Sequence, residues 1–404
     1  MTTDIKSIYL DNNATTRCDP RVVEEMLPFF SEQFGNPSSI HSFGSQVGAK
    51  VREARAQVAA LLGAEHDSEI VFTSGGTESD NAAILSALDL APERREIITT
   101  AVEHPAILSL CDYLKKHKDY TIHIIPVDKQ GRLDVAAYKA ALSDRVAIAS
   151  IMYANNETGT LFPVEGLAEM AKPYGILFHT DAVQAVGKVA LDLKNSDIDM
   201  LSLSGHKLHA PKGIGALYLK RGTRFRPLIR GGHQERERRA GTENTTGIIG
   251  LGKACELALT YMEHENTEVA RLRDKLEQGI ISQVSHAFVT GDVRNRLPNT
   301  TNIAFEYIEG EAILLFLNRM GIAASSGSAC TSGSLEPSHV LRAMQIPFTA
   351  AHSATRFSLS RETTEDEIDY VISHVPAIIS RLRALSPYWD GDKPRADAFQ
   401  PDYA

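Results

Sequence analysis

The chain has 404 residues, 43% of them hydrophobic and 23% charged, which is enough to bury the core of one large α/β domain with a smaller companion, or of two or three ordinary domains. Lys and Arg number 42 against 51 Asp and Glu, a net charge of −9, which disfavours non-specific nucleic-acid binding. Four widely spaced cysteines (Cys18, Cys111, Cys255, Cys330) exclude a zinc ribbon or Cys-x-x-Cys redox motif and fit a reducing compartment, while the absence of a signal pattern and of a long apolar run gives the expectation of a cytoplasmic protein.

Along the chain, short apolar runs at Ile70–Thr73, Ile97–Thr99, Ile122–Ile125, Val146–Ala149, Ile176–Phe178 and Met200–Leu203 predict buried strands of a mainly parallel sheet. Helical stripes such as Val51, Ala54, Val58, Leu61 and Leu62 alternate with them, so the fold class is α/β. Val269, Leu272, Leu276 and Ile280 predict a long amphipathic helix that connects to a second region. Beyond it come a strand at Asn302–Phe305, a helix over 311–320, an alternating strand around Arg356, and a helix opened by the capping box Thr364-Glu-Asp-Glu367. The polar residues from Ser386 on, and 389–404 in particular, read as a poorly ordered tail.

Chemistry-bearing residues fall at strand ends. Ser74-Gly-Gly-Thr77 follows a strand and opens a helix, a place where amides can cradle a phosphate, so Gly75, Gly76 and Thr77 are candidates; the same residues would also make an ordinary capped turn. His104 can stack on a flat ring and move protons, or simply pack. Asn156 sits in a turn-prone Asn-Asn-Glu-Thr-Gly stretch and could bond a cofactor oxygen. Asp181 and Gln184 end the next strand, and Asp181 alone would also serve as a helix N-cap. Ser204-Gly-His-Lys207 follows, with Lys212 as a rival lysine in a turn. A strand-borne Asp with a Ser/His-flanked Lys is what holding pyridoxal phosphate (PLP) requires: the Lys binds the aldehyde and the Asp keeps the ring nitrogen protonated. Arg356 offers a fork for a carboxylate, whereas Arg236, Arg238 and Arg239, alternating with Glu235 and Glu237, read as a solvated or interface stretch. Cys330 lies in a Ser/Gly-rich segment, 323–334, unlike a core element.

These motifs in this order resemble the PLP-dependent cysteine desulfurases, and within them the nitrogen-fixation (NifS) type. The resemblance covers about residues 8–388 and rests on Tyr9-Leu-Asp-Asn-Asn-Ala-Thr-Thr16, Phe34–Ser39, Val102–Pro105, His179–Gln184, Ser204–Lys207, Arg239–Asn244 and Ser325–Ser332; Gly333 favours the nitrogen-fixation type. It implies PLP fold type I, a homodimer, a large PLP-binding domain over 15–260 and a smaller α+β domain from 1–14 and 261–388. By the same resemblance Lys207 holds PLP, His104 stacks on its ring, Asp181 pairs with the ring nitrogen and Gln184 meets the ring hydroxyl. Gly76, Thr77, Ser204 and His206 bind the phosphate, joined by Thr242 of the other subunit. Asn156 and Arg356 hold the carboxylate of L-cysteine. Cys330 is the nucleophile that takes the sulfur as a persulfide, and through it a transient iron–sulfur ligand. The implied acceptor is a NifU-type iron–sulfur scaffold protein serving nitrogenase. Other readings of the residues are a selenocysteine lyase, an aminotransferase, or a sulfur-carrying protein that catalyses nothing.

Overall fold

In the computed structural model, which describes residues 7–326, 337–391 and 393–395, the predicted apolar runs become neighbours in one seven-stranded sheet. Its order is Ile70–Thr73, Gly215–Leu219, Met200–Ser204, Leu177–Asp181, Val146–Ser150, Glu96–Thr100 and Thr121–Ile125. Every pairing is parallel except those of Gly215–Leu219, which runs antiparallel to both of its neighbours. That strand was not expected from the sequence, and it separates Ile70–Thr73 from the rest. The central strands are buried throughout, as their continuous apolar runs require. Thr121–Ile125, at the sheet edge, is only partly buried.

One face of this sheet packs against helices Ser42–Leu62 and Thr245–His264, with Val47, Val58, Leu62, Leu251 and Cys255 in the shared core. The other face is covered by helices Gly76–Leu90 and Pro105–Lys118, through Ala83, Ile84, Ile107 and Leu114. A second core joins Val269, Leu272, Leu276 and Ile280 of helix Ala270–Ile281 to helix Glu365–Leu385 and to a three-stranded antiparallel sheet, Thr355–Ser358, Thr300–Phe305 and Ala287–Val289. Ile8 and Leu10 are buried in that same core, and Ile8–Tyr9 pairs with Ile322–Ala323.

Local signals set several element ends. Helix Gly310–Arg319 lies one residue from its predicted span. Thr364 caps the last helix: its side chain accepts from the Glu367 amide and the Glu367 carboxylate accepts from the Thr364 amide. The amphipathic stripe at 269–280 continues helix Thr245–His264 through a π turn, Glu265–Val269. At the other end of the chain, Trp389–Asp390 pairs with Lys393–Pro394, and the Arg383 guanidinium lies 4.4 Å from the centre of the Trp389 ring.

Candidate active site

The strands Leu177–Asp181 and Met200–Ser204 and the helix Gly76–Leu90 deliver their ends to one cleft of about 490 Å3. Such crevices at the carboxyl ends of parallel strands are where open α/β sheets bind ligands. Gly76, Thr77, His104, Asn156, Asp181, Gln184, Ser204, His206, Lys207 and Arg356 all line it. Residues spread over 280 positions of sequence, between Gly76 and Arg356, are thereby brought together.

Lys207 follows the strand Met200–Ser204 on a single 3-10 turn, Gly205–Lys207. Its amine donates to the carbonyls of Asn13 (2.6 Å) and Ala14 (2.8 Å), so the N-terminal segment aims it. Burial, with the nearby charges of Arg356 and Lys188, pulls its pKa down to about 8. That puts a sizeable neutral, nucleophilic fraction within reach near neutral pH. Lys212, the rival, is exposed and does not line the cleft.

Asp181 is 7% exposed and no helix follows it, so it is not a helix cap. One carboxylate oxygen accepts from the Val183 amide at 2.9 Å. Burial pushes its pKa up, opposed by the Val183 bond and by His104 and Lys207. A cationic group on the cleft floor would favour the ionised form. Beside it lies Asp80, 1% exposed, whose Oδ1 makes no hydrogen bond among the described residues but lies 3.7 Å from His179 Nε2, and whose carboxyl is pushed well up by burial and by Asp181. His179 bridges Ser150 and Ser202 at 2.9 Å each, and burial lowers its pKa to about 3, so it is a neutral imidazole.

His104 caps helix Pro105–Lys118, its Nδ1 accepting from the Ala106 amide at 3.1 Å. That contact fixes the ring, and burial lowers its pKa. Gln184 donates to the Asn13 carbonyl at 3.0 Å, while its Oε1 is buried with no partner among the described residues.

Two glycines shape the turn at 74–77. Gly75 has φ 154 and ψ −176, a conformation that side chains avoid. A Cβ on Gly76 would meet Val183 Cγ2 at 2.8 Å. With Thr77, Ser204 and His206 around it, this turn at a helix N-terminus has the donors an anion needs. His206, held by Thr15 at 3.2 Å, is pushed down to about 4 by burial and by Lys207.

Arg356, in the strand Thr355–Ser358, is 2% exposed. It donates to the Asn156 carbonyl (2.9 Å) and to Asp11 (2.8 Å), and its Nε has no partner among the described residues. Its backbone is bridged to Ser325, and Ser338 and His339 line the cleft, so both flanks of the segment 327–336 reach this site. Cys330 itself lies outside the described residues. Thr242 is exposed and does not line the cleft of its own chain.

In the stretch read as solvated or interface, Arg236 and Glu237 are exposed, but Glu235 beside them is 9% exposed, paired with Arg55 at 2.6 and 2.7 Å and accepting from the Phe72 amide at 2.9 Å. Arg239 pairs with Glu78 at 2.9 Å. Only long-range packing reveals these partners, since the alternating Glu/Arg pattern is that of a solvated stretch. The sequence reading also assigned no role to Asn13, Asp80, Glu157, His339 or Arg342, which line the cleft. The clustered motif at 9–16 was the available signal for Asn13, and the Glu-x-Asp at 78–80 after the glycine turn was that for Asp80.

The buried carboxylate of Asp181, the recessed Lys207 amine and the glycine turn that line the cleft, with buried polar atoms of Gln184 and Arg356 still without a hydrogen bond among the described residues, fit a flat, phosphorylated, aldehyde-bearing ring such as PLP. Known proteins agree. The model for the aminotransferase class-V family matches residues 8–371. The chain is 70% identical to a cysteine desulfurase NifS of Azotobacter vinelandii, over 98% of this chain and 99% of that one. It is 65% identical to a cysteine desulfurase of Gluconacetobacter diazotrophicus, over 99% of this chain and 100% of that one. A solved NifS-like protein superposes with a TM-score of 0.87 at 38% identity, covering 93% of this chain and 100% of that one. Another, from Rickettsia africae, gives 0.83 at 31%, covering 93% and 99%. With the family model matching residues 8–371 and near-complete coverage of close relatives, the chain belongs to the class-V aminotransferase family, as one of its cysteine desulfurases of PLP fold type I.

Proposed function

We propose that the protein takes sulfur from L-cysteine, releasing L-alanine and leaving a persulfide on Cys330 that passes to an iron–sulfur scaffold protein of the NifU type, for nitrogenase cluster assembly. The observation that supports this best is the Lys207 amine, recessed between the carbonyls of Asn13 and Ala14 in the same cleft as Asp181 and Arg356.

Lys207 is the residue that holds PLP covalently. His104 covers one face of the ring, Asp181 pairs with its nitrogen and Gln184 with its hydroxyl. Gly76, Thr77, Ser204 and His206 hold the phosphate, with Thr242 contributed by the second subunit of a homodimer. Bound there, PLP supplies a sink for the electron pair left when a Cα–H bond of the substrate breaks. Arg356 and Asn156 fix the substrate carboxylate. Lys207 would take the proton from the substrate Cα and later return one; its depressed pKa suits both roles. His104, neutral by burial, accepts the substrate thiol proton. Cys330, as thiolate, would attack the substrate sulfur, the carbon–sulfur bond breaking with its electron pair passing to the substrate carbon, which takes up a proton on the way to alanine, while the sulfur stays on Cys330. The protein is expected to act in the cytoplasm; among the described residues no helix is long and apolar enough to cross a membrane.

The test is the visible spectrum of the purified protein before and after L-cysteine, with alanine and sulfide assayed in the same tube. Wild type should be yellow, change on addition of cysteine, and yield alanine with sulfide. Lys207→Ala should lose the covalent chromophore. Cys330→Ala should keep it and lose sulfur release. A Cys330→Ala variant with full activity on cysteine would end this assignment.

A further inference from the structure

Behind Lys207, on the side away from the cleft, lies a second buried lysine that no step above uses. Lys188 is 7% exposed. Its amine donates to the Gln184 carbonyl at 3.1 Å and makes a longer contact, 3.5 Å, to the carbonyl of Lys207. These are the backbones of the two residues assigned to the hydroxyl and aldehyde of the cofactor. Lys188 is held in turn by the π turn Glu265–Val269: the Asn266 side chain donates to the Lys188 carbonyl at 3.0 Å. π turns inside long helices concentrate at functional positions, because the extra residue re-aims side chains that a regular helix would point elsewhere. Here it delivers Glu265, 6% exposed, whose Oε2 is buried with no partner among the described residues. Lys188, Glu265 and Lys207 line one small cavity of about 20 Å3, the size of a single water.

A buried ammonium is expensive unless its charge is used or offset. We propose that Lys188 is a positioning residue for Lys207: its ammonium ties the carbonyl of Lys207 to that of Gln184, and its charge, offset by Glu265, keeps the Lys207 nitrogen from taking up a proton. The inference rests on the assignment of Lys207 as the cofactor-holding residue.

The charged surroundings agree with it. Lys207 faces Arg356 and Lys188 as cations, Asp181 and Asp11 as anions, and the imidazoles of His104 and His206. Lys188 faces Glu265 as well as Lys207 and His209, and Arg361 acts on Glu265. Burial pulls the Lys188 pKa down to about 8, so the ammonium carries most of its charge below that pH and its effect on Lys207 is strongest there.

The readout is the pH titration of the visible absorbance of the Lys207–cofactor linkage in the resting holoenzyme, without substrate. Lys188→Met should raise the midpoint by about half a unit or more. Lys188→Arg, which keeps the charge, should leave it within about 0.2 unit of wild type. Lys188→Gln, neutral and polar, should raise the midpoint likewise, which keeps the test available if Lys188→Met does not fold. Loss of packing alone would not produce a charge-dependent shift. A folded, cofactor-loaded Lys188→Met or Lys188→Gln with an unmoved midpoint overturns the role of Lys188 and leaves Lys207 untouched. A wild-type protein without a Lys207-dependent chromophore overturns the cofactor assignment itself, and this inference with it.

Discussion

Replacing Arg356 by Lys keeps the charge in the cleft and removes the fork. A guanidinium has five N–H donors. In the structure Nη1 uses one on the Asn156 carbonyl and Nη2 one on Asp11, which leaves three, including the unpartnered Nε. Those three are on one planar group that a carboxylate can meet with two parallel bonds, while Asp11 and Asn156 fix its plane. A lysine ammonium can supply one such bond. The difference is one hydrogen bond to a charged group, about 1.5–3 kcal/mol, or a fall of about 10- to 150-fold in kcat/KM. Because the carboxylate is bound alike before and during reaction, most of the loss should fall on KM with kcat little changed. The assay is the initial rate of alanine formation against L-cysteine concentration, with the chromophore and circular dichroism checked to show that Arg356→Lys folds and holds cofactor. A folded, loaded Arg356→Lys within about twofold of wild-type kcat/KM would refute the carboxylate role.

Removing the Glu235 carboxylate strands the Arg55 guanidinium, which is also stacked 4.6 Å from the centre of the Phe72 ring. Glu235→Ala should therefore destabilise the protein by about 3–5 kcal/mol in urea unfolding, and a loss below about 1 kcal/mol would show that the pair acts as if exposed. Gly76→Ala puts a methyl against Val183 in the proposed phosphate turn. Apo-protein carrying it should bind PLP about 5- to 150-fold more weakly, the equivalent of about 1–3 kcal/mol of overpacking, and unchanged affinity in an absorbance titration would remove Gly76 from the site. Glu103 is fully buried, accepts from Thr100 and the Met152 amide, and is pushed up to about 8 by burial. Its folded-state pKa is above the unfolded value, so the folded state binds more protons between the two. Its stabilising contribution is complete below about pH 4.5 and is lost as pH rises towards 8. Glu103→Gln mimics the neutral acid and should flatten that decline in melting temperature; an unchanged slope between about pH 5 and 8 would mean the carboxyl is already ionised.

The sequence by itself determined what depends on local pattern. Six of the seven strands of the large sheet are legible as apolar runs because a strand buried on both faces must be apolar throughout. The Thr364 capping box is legible because its partners are three residues apart. Lys207, Asp181, His104 and the glycine turn stand out because each ends a strand and each carries a chemistry that PLP needs. What tertiary structure alone decided is partnership. Gly215–Leu219 is as apolar as its neighbours, but only the finished sheet inserts it antiparallel between Ile70–Thr73 and Met200–Ser204. Glu235 has the sequence environment of a solvent-facing residue, and its burial follows from Arg55, 180 residues away. Lys207 is aimed by carbonyls 193 and 194 residues before it, and Lys188 is held by a π turn 78 residues after it. A residue type and its near neighbours specify what a side chain can do; which charge or carbonyl it meets is fixed by contacts between distant segments, and those contacts set the burial and electrostatics that give Lys207 its reactivity.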